Sequence, residues 1–120
     1  MKYGLIFFET PEELDRREGE SAPAYWGAWG AYIDLLAESG ALVPGAGAGL
    51  QTPDTATTVR IQGSKQHIQD GPLADTKEQI GGMVIIDVAT LDEAIALASK
   101  APCASAGGVE IRPIMSAPEG

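Results

Sequence analysis

A chain of 120 residues, 44% of them apolar and with a formal net charge of −9, has the size and make-up of one soluble domain, residues 1–120, around a modest core. Its acidity repels phosphate backbones, which argues against direct binding to DNA or RNA but suits a basic protein partner. A lone cysteine, Cys103, excludes an intrachain disulfide and a cysteine zinc cluster, and no apolar run approaches the ~18 residues of a membrane span.

The chain opens on Met1–Glu9, where Tyr3, Leu5 and Phe7 alternate with Gly4, Ile6 and Phe8. Both faces are apolar, which predicts a central strand buried on two sides. The run Leu5–Phe8 has no basic region before it and no long apolar core behind it, so it does not read as a secretory leader, and cytoplasm is the expected compartment. Thr10–Ala22 mixes Glu12, Glu13, Asp15, Arg16, Arg17, Glu18 and Glu20 and reads as a mobile, solvated loop with room for a helical turn after Pro11. Pro23 suits a first helical position. From there Tyr25, Trp26, Trp29, Tyr32, Ile33 and Leu36 fall within an arc of roughly 120°, opposite Asp34 and Glu38, up to a glycine cap at Gly40. This aromatic stripe packs on a sheet, and one end of it, Trp26 and Trp29, is placed to line an apolar pocket.

Leu42–Pro53, with Gly45, Gly47 and Gly49, lacks the helix start or lysine that a phosphate loop needs and reads as a loop or irregular edge strand. Thr55–Gln62 and Lys65–Gln69 flank Gly63-Ser64 and predict a hairpin. Asp70-Gly71-Pro72 marks a tight turn, Ala74–Gln79 has the composition of one or two helical turns, and Gly81-Gly82 opens a strand, Met83–Val88. Thr90-Leu91-Asp92-Glu93 is a capping box for a helix with Leu91, Ala94, Ile95 and Ala98 on its inner face, stopped by Pro102. A last strand, Val109–Ile114, precedes a tail, Met115–Gly120, that is expected to fray.

Strand, helix, hairpin, strand, helix and strand in that order predict a ferredoxin-like α+β sandwich on one antiparallel sheet. Two helices cover only one face of such a sheet. The apolar second face of Met1–Glu9 and Met83–Val88 therefore predicts a homodimer in which two sheets meet.

The stretch Asp70–Glu78, DGPLADTKE, resembles the signature of the DGPF family, also called YCII-related domain proteins, written DGPFAETKE. It departs at Leu73 and Asp75. The likeness continues in Gly81-Gly82, Leu91-Asp92-Glu93-Ala94, Val109-Glu110-Ile111-Arg112-Pro113 and the helix running from Trp29 into Gly40-Ala41-Leu42. The resemblance implies a dimeric α+β barrel, and a regulatory setting beside alternative sigma factors for some members. For the YCII branch it implies a His–Asp active site. The only histidine here, His67, does not lie after the first strand, where that histidine is expected.

Candidate chemistry centres on a few side chains. Asp70 suits an Asx-turn, or a general base if burial raises its pKa. His67 is a proton shuttle or an exposed strand residue. Lys77 and Glu78 diverge on any turn, so that one can face a cleft. Glu110 and Arg112 alternate on the last strand, as an ion pair or as a clamp for a ligand carboxylate. No cofactor fingerprint and no cluster at metal-ligand spacing is read, and Cys103 lacks the companions of a nucleophile. Three functions follow. The first is a small-molecule-binding or regulatory module. The second is a cofactor-free isomerase or lyase with Asp70 or His67 as base and Arg112 or Lys77 stabilising an enolate. The third is an acidic protein partner in a sigma-factor-linked system.

Overall fold

In the computed structural model the described residues are 1–116; the expected fraying of the tail lies, for residues 117–120, outside them. The central strand is β1, Lys2–Glu9, whose hydrogen bonds are taken on both sides. A short helix, α1 (Pro11–Asp15), and a long one, α2 (Ala22–Glu38), lead to a two-residue edge strand, β2 (Ala48–Gly49). A hairpin, β3 (Thr57–Gln62) and β4 (Lys65–Asp70), comes next. Then follow β5 (Gln79–Asp87), α3 (Leu91–Ala98) and β6 (Gly108–Pro113). The main sheet runs β2-β5-β1-β6 with every pairing antiparallel, which is the ferredoxin-like α+β order with β3–β4 inserted as a separate two-stranded sheet.

Alternation along β1 divides the sheet. Tyr3, Leu5 and Phe7 point under the helices, where Leu5, Leu36 and Ile86 are fully buried. Phe7 meets Trp29 and Tyr32 edge-on, at 4.9 and 5.9 Å between ring centres. The other face carries Ile6 and Phe8, paired with Met83 and Ile80, and no helix among the described residues covers it. Met83 and Ile80 remain 38% and 42% exposed.

Several expectations are corrected. Thr10–Ala22 is not a mobile loop. Thr10 accepts from the Glu13 amide while the Glu13 carboxylate takes the Thr10 amide, a capping box that fixes α1, and a 3-10 turn (Gly19–Ser21) leads into α2. Ala74–Gln79 forms no helix; the Gln79 side chain instead ties the segment by bonds to the carbonyls of Ala74 and Thr76. On α3 the small residues Ala94 and Ala98 face the core, while Leu91 and Ile95 are 50% and 46% exposed, because short side chains let the helix lie close to the sheet. Glu93 does reach back, but to the amide of Ala89.

The core assignment predicts that Leu36→Ala lowers the unfolding free energy by about 2–5 kcal/mol in urea titrations. Ile95→Ala on the outer face of α3 should change it by about 0.5 kcal/mol or less.

Candidate functional site

The last residue of β1, Glu9, continues the inward phase of Phe7 and is 1% exposed. A buried carboxylate is costly unless charged or hydrogen-bonding partners meet it. Two do. Arg17, just beyond α1, places Nη2 2.9 Å from Glu9 Oε2, and Tyr25 in the first turns of α2 donates its hydroxyl to Glu9 Oε1. Arg17 Nε also donates to the Tyr25 hydroxyl at 2.9 Å, so the three groups close a ring of bonds. The rest of the guanidinium is spent on backbone: Nη2 to the Gly81 carbonyl at 3.1 Å and Nη1 to the Leu50 carbonyl. Its plane lies near the rings of Tyr25 and Trp26, and Trp26 Nε1 donates to the Arg17 carbonyl at 3.1 Å. Among the described residues no buried side-chain nitrogen or oxygen lacks a partner.

Local backbone makes room for this cluster. Opposite Phe7 and Phe8 the β1–β5 register slips by one residue, leaving Gly81 as the extra residue of a bulge. A methyl group on Gly81 would sit 1.7 Å from Glu9 Oε2, so only glycine admits the carboxylate there. Gly47 is constrained likewise, since a Cβ would lie 2.6 Å from the Met83 carbonyl where the chain crosses β5.

Beside the cluster opens a cavity of about 360 Å³. Its polar side chains are Glu9, Arg17 and Tyr25. Its walls are Phe7, Trp26, Trp29, Ile33, Leu42, Val43, Ala48, Leu50, Met83 and Val84, with Gly45, Gly47, Gly49, Gly81 and Gly82 giving backbone surface. The arrangement is a mostly apolar, aromatic-walled hollow with one buried carboxylate at its edge, and it lies within the size range of small-ligand sites.

Of the residues singled out in the sequence, the structure brings Trp26 and Trp29 to this cavity. Asp70 and His67 lie on exposed β4, Lys77 is exposed and Glu78 half-buried in the connection to β5, and none of the four lines the cavity. From Asp70–Gly82 only Gly81 and Gly82 reach it. Glu110 and Arg112 pair with each other at 3.0 Å on the uncovered sheet face. In the sequence Glu9 has no assigned role, Arg17 reads as a solvated charge and Tyr25 only as part of the aromatic stripe, although Thr10-Pro11-Glu12-Glu13 carries the capping pattern that orders the segment between them.

The family profile of the YCII-related domain matches residues 1–117. The chain belongs to that family. An uncharacterized protein of Rhizobium meliloti (strain 1021) is 43% identical to this YCII-related domain over 61 residues, a match spanning 49% of each chain, so about half of that relative's length is matched. A solved structure, the 5-chloro-2-hydroxyhydroquinone dehydrochlorinase of Burkholderia phenoliruptrix AC1100 in complex with 2,5-dihydroxybenzoquinone, is 19% identical. It covers 92% of this chain and 91% of its own, with a TM-score of 0.47.

In this YCII-related domain the protonation of the cluster follows from its packing. Burial, and then the bond to Glu9, push the Tyr25 phenol up to about 12, with Arg17 opposing. Burial works against the Arg17 charge, but the bonds and fields of Tyr25 and Glu9 outweigh it and raise the guanidinium further. Burial, and then the nearby Glu13 and Glu9, push the Cys103 thiol up to about 12.

Two outcomes follow. Arg17→Met leaves Glu9 buried without its counter-charge and should cost about 3–5 kcal/mol, against about 1–3 for Tyr25→Phe, both read by urea unfolding. Tyr25 and Cys103 hold their protons more tightly folded than unfolded. Their contribution is therefore complete below the ordinary thiol and phenol values, near 9 and 10, and is lost as pH rises toward 12. Thermal melts between those limits should show falling Tm, with a smaller fall in Tyr25→Phe.

Proposed function

We propose that this chain is a small-molecule-binding module whose site is the cavity beside Glu9, Arg17 and Tyr25. The observation that carries the reading is a carboxylate 1% exposed at the edge of an aromatic-walled hollow of about 360 Å³. Such a site favours a ligand of one or two rings, held by apolar contact, with a hydroxyl or N–H group that donates to Glu9. Arg17 and Tyr25 orient the carboxylate, so its remaining lone pairs have a fixed direction.

The working unit we propose is a cytoplasmic homodimer of a single domain, residues 1–120, with the uncovered face of the sheet between the two copies. What supports the dimer is the row of Ile6, Phe8, Ile80 and Met83 that no helix among the described residues shelters.

Phenol and toluene differ by little except a donor, which makes them a matched pair of probes. Titration calorimetry should show phenol bound more tightly than toluene, with both weakened about tenfold or more in Trp29→Ala. The phenol preference should shrink in Glu9→Gln, whose fold is checked by circular dichroism. Neither probe binding at millimolar concentration, or binding indifferent to both substitutions, refutes this site.

A further inference from the structure

The hairpin β3–β4 is the least sheltered part of the structure. Every residue of β4 is exposed, as are all of β3 but Thr58. The strands pair with each other and with no strand of the main sheet. A two-stranded hairpin alone in water is marginally stable at best. The Cα radius of gyration, 16.2 Å, exceeds the about 14 Å of a compact chain of this length, as a projecting arm requires.

The arm has two unlike faces. Val59 pairs with Ile68, and Ile61 lies two residues on from Val59, so the three share one face, exposed by 56%, 65% and 65%. The opposite face holds Arg60 paired with His67, and Gln62 paired with Lys65. Between Thr57 and Asp70 the one carboxylate is Asp70, whereas the chain as a whole carries −9. A basic arm therefore projects from an acidic body. Opposite charge draws such an arm toward another body, and like charge keeps two arms apart.

We propose that β3–β4 is a clasp that lies on the body of a second copy of this chain, seating the stripe of Val59, Ile61 and Ile68 on that copy beside the contact between the two sheets. The long stems of Arg60 and Lys65 let their charged ends curl toward the acidic surface around it. This rests on the homodimer proposed above and adds the segment that fastens it.

The base of the arm allows a clean removal. The Gly71 amide donates to the Ala56 carbonyl at 2.7 Å, so the ends are adjacent and an Asn-Gly turn can replace Thr57–Asp70. A second variant, Val59→Thr with Ile61→Thr and Ile68→Thr, keeps strand propensity and removes the apolar stripe. It carries the test if the shortened chain does not fold. Sedimentation equilibrium of the full chain should give a dimer at about 10 μM, with Kd raised about tenfold or more in either variant. A dimer unchanged in both variants overturns the clasp and leaves the homodimer standing. A full chain still at 12.5 kDa at about 100 μM overturns both.

Discussion

Everything around the cavity depends on one buried charge, the carboxylate of Glu9. Its position at the end of the central strand is set by alternation, because Tyr3, Leu5 and Phe7 point inward and Glu9 follows them. A carboxylate buried there is costly without partners, so the chain supplies them from two segments that must both be ordered. The Thr10–Glu13 capping box fixes α1 and delivers Arg17; the start of α2 delivers Tyr25. The same guanidinium then ties the carbonyls of Leu50 and Gly81 and so holds the glycine-rich edge of the sheet against the cluster. One salt bridge thus joins β1, the α1–α2 connection, the segment after β2, and β5.

The bulge at Gly81 is the complement of that charge. A regular β1–β5 ladder offers no void where the Glu9 side chain lies, and a residue with a Cβ would fill it. The pair Gly81-Gly82 therefore does more than open a strand. Gly81 admits the carboxylate, and Gly82 lets the backbone of β2 approach, its would-be Cβ lying 3.0 Å from the Ala48 carbonyl. Cavity and bulge share one origin in backbone geometry.

How much of this the sequence displayed depended on the type of signal. Period-two alternation in Met1–Glu9, the 3.6-residue stripe from Tyr25 to Leu36, and the glycine turn before Lys65 are local patterns, and each forms the expected element. The ferredoxin-like order follows from their sequence. The cluster was hidden because a charged stretch defaults to a solvated reading, and nothing local shows that Arg17 turns inward to a strand end eight residues earlier. The Thr-Pro-Glu-Glu pattern was the available clue. Conversely, DGPLADTKE draws attention by composition, yet its side chains lie along an exposed connection, where turn chemistry alone accounts for Gly71 at a φ of +102°. On α3, branched Leu91 and Ile95 looked like the core face, but the distance between helix and sheet selected Ala94 and Ala98.

The two faces of the main sheet differ. Its helix-covered face supplies Phe7, Glu9 and Val84 to the cavity, and its open face presents Ile6 and Phe8. Phe8 and Glu9 are consecutive, so the backbone that anchors the buried carboxylate also carries a side chain of the open face. A second copy resting on that face would press on Phe8 without entering the cavity. Any shift of β1 at the bulge would then move Glu9 relative to Arg17 and Tyr25, whose positions are fixed from the other side. Because packed interiors transmit small displacements rather than absorb them, the proposed assembly face and the proposed ligand site would be mechanically adjacent although they lie on opposite faces of one strand.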